Sequence, residues 1–375
     1  MKRPQDGPAR TRAIRNLKII AAPFILGLAY LLLWPVPVDP MGWDAPKNPG
    51  YAGSYAENTR LAEGERLALA GQEGPEDAAV GVDGAVFVST RGGSILRYPP
   101  GSDTPEVFVD TGGAPLGLEL DGEGRLLVAD AYKGLLRVEN DKQIKVLAAE
   151  ADGVPIRYAD AVAVAKDGKI YFTDASTKFG AQVHGGSYAA SLLDIMEHGG
   201  HGRLLEYDPI TERTTTVASG LQFANGVALT PDGAALVVET GSYRVVRVGL
   251  RGAEFGLVTP VLENLPGFPD NIRKGRDGRY WVGLVSPRSG LLDAMSGLPF
   301  VRKVAQRLPA FLRPKAGHYG HVLAIDARGK VLISLQDPAG DYAFVTGAVE
   351  TETHVYVTSL KATTLARLPR AGLGL

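Results

Sequence analysis

Glu76, Asp160, Asn225 and Asp270 each stand eight residues before a turn glycine, namely Gly84, Gly168, Gly233 and Gly278. Each opens an apolar stretch, such as Val162-Ala163-Val164 after Asp160 and Val227-Ala228-Leu229 after Asn225. Three carboxylates and a carboxamide in one register, in a chain without cysteine, make an all-oxygen donor set. Brought to a common axis, such acids repel one another and their pKa values rise unless a cation neutralises them. Oxygen donors favour calcium or magnesium over zinc or copper, and a roomy ring suits the larger coordination number of calcium. The same register also contains Leu116, before Gly124, and Val345 or Thr346, where the turn differs. Polar residues lining a water-filled channel are the plainer alternative.

The elements that must position these residues are legible as a repeat. Six strands follow the turns: Ala85–Thr90, Arg125–Asp130, Lys169–Asp174, Ala235–Thr240, Arg279–Leu284 and His354–Ser359. A third strand follows in each copy, and a fourth in five of them, at Pro105–Asp110, Ile144–Ala148, Thr214–Ala218, Val258–Leu262 and Lys330–Leu335. Four antiparallel strands repeated six times predict an all-β, six-bladed propeller rather than a sandwich, and the innermost strand of each blade lines the central channel. Two insertions, Ser176–Gly202 and Ser286–His318, carry helical patterns at Ala189–Glu197 and Pro299–Leu308. The second mixes basic and large apolar residues, as a lid helix or an interfacial helix would.

A hairpin that starts at the ring returns to it, so Asp130, Asp174 and Glu239, at the ends of the returning strands, are expected one layer outside. With Asp270 they are candidates for a general base, the strand-end acids being equally suited to hydrogen bonding local backbone. Glu197-His-Gly-Gly-His201 lacks zinc-protease spacing and reads as a loop, and Ser187 and Ser191 lie in no nucleophile elbow.

The net charge of −1 argues against a nucleic-acid partner. Residues 1–18 hold six basic side chains and one acid, and Ile19–Val38 is uncharged and about as long as a bilayer core requires. This predicts a cytoplasmic basic segment (1–18), a transmembrane helix (19–38), a linker (39–56) and the propeller (57–375). Basic residues stay inside, so the propeller should lie outside the cytoplasmic membrane, in a bacterium the periplasm. No small-x-small site follows to suggest a cleaved signal peptide.

Gly74-Pro-Glu-Asp77, Leu127-Val-Ala-Asp-Ala-Tyr132, Gly202-Arg-Leu-Leu-Glu-Tyr-Asp208, Gly220-Leu-Gln-Phe-Ala-Asn-Gly-Val227 and Gly267-Phe-Pro-Asp-Asn-Ile272, in this order, resemble the strictosidine synthase-like family. That group includes adipocyte plasma membrane-associated proteins and shares a superfamily with gluconolactonase, regucalcin and the paraoxonases. The resemblance covers about Glu57 to Leu368 and implies a six-bladed propeller with, in the hydrolase branches, a catalytic calcium. It would place calcium ligands on Glu76, Asn225 and Asp270, with Asn271 as a further paraoxonase-type ligand. The paraoxonase asparagine beside Asp160 is Ala159 here, so Asp160 would substitute for it, and the paraoxonase histidine is Leu116. The glutamate of strictosidine synthase falls near Thr346, which cannot act as that acid or base, so true strictosidine synthesis is not expected. Two functions remain open: a membrane-anchored, calcium-dependent hydrolase of an ester or lactone, or a non-catalytic propeller with structural calcium that binds a ligand or protein partner at the membrane surface.

Overall fold

Gly84, Gly124, Gly168, Gly233 and Gly278 have φ of 84, 77, 86, 82 and 78°, the left-handed region that only glycine enters without strain. Each turn reverses the chain after an innermost strand. The computed structural model describes residues 22–375 and contains six four-stranded antiparallel sheets whose innermost strands contact one another in a closed circuit. These innermost strands are Pro75–Val80, Pro115–Leu120, Ala159–Val164, Ala224–Leu229, Gly267–Lys274 and Val345–Glu350, opening blades one to six in order. The fold is a six-bladed propeller.

The missing fourth strand of the sixth copy comes from the other end of the chain. Glu65–Ala68 pairs antiparallel with Thr364–Pro369, with Leu67 opposite Leu365, and completes the last blade. This closure covers the outer edge of Thr364–Pro369 and joins the two ends of the propeller in one sheet. Apolar clusters fill the gaps between blades, one of them placing Leu127 and Ala129 of blade two against Val162 and Phe172 of blade three.

Both insertions are helical as expected. We label the helix at residues 22–33 α1, Ser187–Glu197 α2, Gly290–Ala294 α3 and Pro299–Arg307 α4. The transmembrane expectation for 19–38 falls partly outside the described residues, and the basic segment 1–18 lies wholly outside them. Among the described residues no helix is long and apolar enough to cross a membrane. The expected linker is held against the propeller rather than hanging free. Val38, the last residue of the expected transmembrane stretch, is itself buried in the main core cluster, and within the linker Met41 N donates to Glu197 O, Trp43 N donates to Ser296 O, and Trp43 stacks on His198 with centroids 4.1 Å apart.

Candidate metal centre

Every innermost strand breaks register with its neighbour at the same place. The pairing skips between Pro75 and Ala78, Pro115 and Leu118, Ala159 and Val162, Ala224 and Val227, Pro269 and Ile272, and Val345 and Gly347. Glu76, Leu116, Asp160, Asn225, Asp270 and Thr346 lie in these bulges, which re-aim side chains and release them from the ladder. The sixth member of the register is therefore Thr346. Glycine follows where neighbouring strands crowd: a Cβ on Gly226 would run into the backbone of Asn271 and Ile272.

Hydroxyls on the second strands tie these bulges across blades. Thr173 Oγ1 accepts from Ala161 N (3.0 Å) and donates to Asn225 O (2.6 Å), and Ser89 Oγ does the same between Asp77 N and Leu116 O. Thr346 Oγ1 and Asn271 Nδ2 both donate to Glu76 O. The ring backbones are thus fixed by side chains of other blades.

Glu76, Asp160, Asn225 and Asp270 line one cavity of about 590 Å³, walled by Tyr158, Phe223, Phe268, Leu292 and residues 34–37. Their environment is electrostatically uncompensated. Burial raises the Glu76 carboxyl well above its ordinary range, with Asp270, Asp160 and Asp77 adding to it. Burial likewise raises Asp160, with Asp270 and Asp77 beside it. Asp270 is lifted by burial to about 7, although the Asn225 amide favours its charged form. Asn225 Nδ2 donates to Asp270 Oδ1, while Asn225 Oδ1 is buried without a hydrogen-bond partner.

The donor chemistry fits a hard divalent cation: three carboxylates and an unpartnered amide oxygen. Among the described residues no group of three or more His, Cys, Asp or Glu is drawn together tightly enough to hold an ion as it stands. The fit therefore rests on donor type, shared cavity and the orphaned oxygen. Asn271 does not line this cavity; it is buried and engaged with Glu76 O.

The returning-strand acids are placed differently. None lines the cavity. Asp130 accepts from Thr111 Oγ1 and from the amides of Ala114, Tyr132 and Lys133. Asp174 binds Arg203 at 2.7 Å and the Tyr158 amide at 2.9 Å, and Glu239 binds Arg244 and the Gln222 amide. These contacts clamp strand ends and connecting loops and lend no support to a general-base role.

Several residues at the site have no signal in the repeat. Asp77, next to Glu76, forms a buried pair with Arg273 (2.6 Å) and accepts from Leu118 N. Tyr158 is buried in the cavity wall, its hydroxyl held protonated by burial and by the charges of Asp160, Glu76 and Asp270. The histidine on the cavity wall is His184, whose Nδ1 lies 3.0 Å from Gly180 O. A carbonyl only accepts, so Nδ1 carries the proton of this hydrogen bond. His198 stacks on Trp43 and His201 pairs with Glu197, neither of them lining the cavity. Ser187 and Ser191 do line it, and Ser191 Oγ donates to Tyr188 O.

Comparison with known proteins bears on this arrangement. A strictosidine synthase family model matches residues 160–252, and a strictosidine synthase-like N-terminal model matches residues 53–98. The chain is 32% identical to the adipocyte plasma membrane-associated protein of Rattus norvegicus, over 91% of this chain and 95% of that one. It is 36% identical to protein strictosidine synthase-like 6 of Arabidopsis thaliana over 78% of each. Among solved structures, a gluconolactonase from Xanthomonas campestris matches with a TM-score of 0.60 and 19% identity, over 90% of this chain and 99% of that one. The calcium-binding protein regucalcin from Agrobacterium tumefaciens matches with a TM-score of 0.57 and 12% identity, over 81% and 93%. At such identities these structures speak for the propeller fold. The extent and identity of the sequence matches place this chain in the family of the adipocyte plasma membrane-associated and strictosidine synthase-like proteins.

Proposed function

We propose that this protein is a membrane-anchored hydrolase of an ester or lactone whose cavity floor holds calcium. The observation that carries the reading is the convergence of Glu76, Asp160, Asp270 and the unpartnered Asn225 Oδ1 at the base of one apolar-walled cavity. These four residues would hold the ion, and Asn271 would act only from behind, through the Glu76 carbonyl. Calcium in such a site supplies Lewis acidity toward a carbonyl oxygen.

The chain's own groups provide the rest. Phe223, Phe268 and Leu292 exclude bulk water and strengthen electrostatics at the floor. The Tyr158 hydroxyl stands ready to donate to a developing oxyanion. Nε2 of a neutral His184 and the floor acid Asp270 are the groups able to accept a proton from water. Gluconolactonase and regucalcin structures share the fold, which supports the choice of a lactone or ester and of calcium. The uncharged run at Ile19–Val38, whose residues 22–33 form α1, together with the name of the rat relative, supports membrane attachment, and the six basic residues before Ile19 favour a propeller outside the cytoplasm.

Turnover of aryl-ester and lactone panels by the full chain in detergent, with and without a calcium chelator, tests the reading. Chelator-sensitive hydrolysis is expected. Calcium binding without turnover of any substrate would give the site to ligand binding instead.

A further inference from the structure

The N-terminal helix is locked to the cavity. At its end the carbonyls of Leu31 and Trp34 accept from the Arg307 guanidinium of α4 (3.0 and 2.5 Å). Arg302 of α4, itself buried, bridges the carbonyls of Met41 and Ile195 (3.0 and 2.8 Å), joining the strap after α1 to α2. Asp39 adds its amide to Glu197 Oε2 and its carboxylate to Lys303. Neither Arg302 nor Arg307 has a carboxylate partner among the described residues, so their buried charges are answered by strap and helix carbonyls. The helix end then becomes part of the wall: Tyr30, Trp34 and Pro35 line the cavity whose floor is Glu76, Asp160, Asn225 and Asp270.

Two apolar surfaces continue from the segments that line this opening. Phe24 (76% exposed), Ile25 and Leu33 project from α1, and Phe300, Phe311 (72% exposed) and Leu312 project from α4 and the turn after it. Arg313 and Lys315 line the mouth between them and the cavity. Clustered exposed aromatics and leucines beside basic residues match the composition of segments that rest in a bilayer interface. The opposite face, where the turns between strands lie, exposes single apolar residues such as Val82 and Ile210.

We infer that the mouth of the cavity is seated on the lipid bilayer, with α1 and the Phe300–Leu312 surface as its two contacts, so that ligands enter from the lipid phase. The continuity of α1 with the uncharged N-terminal run selects a bilayer as the occupant. Arg313 and Lys315 at the rim suit anionic headgroups. Resting on the hydrolase reading, the substrate class follows: an amphiphilic ester or lactone whose polar carbonyl end reaches the acidic floor while its aliphatic chain stays along the apolar wall and in the membrane.

The chain has no cysteine, so single labels report cleanly. Phe300→Cys, Phe311→Cys, Val82→Cys and Ile210→Cys are each labelled with bimane in the full chain, checked for wild-type melting, and reconstituted into phosphatidylcholine and phosphatidylglycerol vesicles containing doxyl lipids. Strong quenching at the first two positions and none at the last two is expected. Equal quenching at Phe311→Cys and Ile210→Cys overturns the seating and leaves the apolar surfaces to a protein partner. In a second arm, a vesicle-borne lauroyl ester should exceed its acetyl analogue in kcat/KM by about tenfold or more, because only the lauroyl ester is concentrated in the lipid phase that the mouth would face. Phe311→Asp should erase that preference while sparing the acetyl ester, and its failure to do so refutes lipid-phase entry. Quenching without hydrolysis of any ester upholds the seating and refutes the hydrolase reading with its substrate class.

Discussion

Thr173 Oγ1 donates to the carbonyl of Asn225 across the gap between the third and fourth blades, 2.6 Å away. The same oxygen receives the Ala161 amide, so one buried hydroxyl serves two bulges. Thr173→Val keeps the shape but strands both a buried N–H and a buried carbonyl, at a cost of about 1–3 kcal/mol. Chemical unfolding should show this loss with an unchanged m-value. A variant as stable as wild type would show that the inter-blade bond contributes nothing.

Asp174 separates structural from chemical roles. Burial raises its carboxyl even though Arg203, at 2.7 Å, favours the charged form. Asp174→Ala leaves the Tyr158 amide without its acceptor and Arg203 with only the carbonyls of Ala151, Val154 and Pro155, and breaking a buried pair costs about 3–5 kcal/mol. Melting should fall markedly, while any calcium-dependent gain in stability persists in the folded fraction. Loss of the calcium response with unaltered melting would instead place Asp174 at the metal site.

Asp194, on α2, carries a pH dependence. Burial lifts its carboxyl to about 7, against the Ser176 hydroxyl, which donates at 2.6 Å. An unfolded aspartate titrates near ~3.9. Between those values the folded protein holds a proton that the unfolded chain has released, so this group's stabilisation is full below the unfolded value and declines as pH rises through the window. Glu197 nearby behaves oppositely: burial opposes its charge, but His201 and Lys178 hold it below the usual range, so its effect falls at lower pH. Asp194→Asn fixes the neutral form, and its melting temperature relative to wild type should climb from about pH 4.5 to pH 7.5. A difference that stays flat across that range would contradict the assignment.

What the sequence disclosed follows from what a repeat can reveal. Glu76, Asp160, Asn225 and Asp270 are found by register because the same bulge recurs in each blade. The strand Glu65–Ala68 escapes that register, since its partner Thr364–Pro369 lies at the far end of the chain. Tyr158, His184 and the wall at residues 34–37 belong to loops, an insertion and the strap, where no period exists to place them. Asp130 and Asp174 show the limit of position alone. Strand order puts them near the ring, but the direction of their carboxylates depends on Thr111 and Arg203, whose proximity only the fold creates.

The metal reading makes the sharpest demand on two acids of the same chain. Asp270 sits at the cavity floor against Asn225, whereas Asp232 lies in a turn on the other face, paired with Arg247 at 3.1 Å. An ion that binds only the folded state stabilises it by RT ln(1 + [L]/Kd), about 2.7 kcal/mol at ~100 times Kd. Calcium should therefore raise the melting temperature of the wild type, and a chelator should reverse the gain. Removing Asp270 deletes a charged donor and also relieves repulsion on Glu76 and Asp160. Asp270→Ala should thus be close to wild type, or more stable, without calcium, yet lose most of the calcium-dependent rise. Asp232→Ala should keep that rise in full. The pairing of these two outcomes is specific to a cation at the floor, because general electrostatic screening by calcium would respond to both substitutions alike. A full calcium response in Asp270→Ala removes the site.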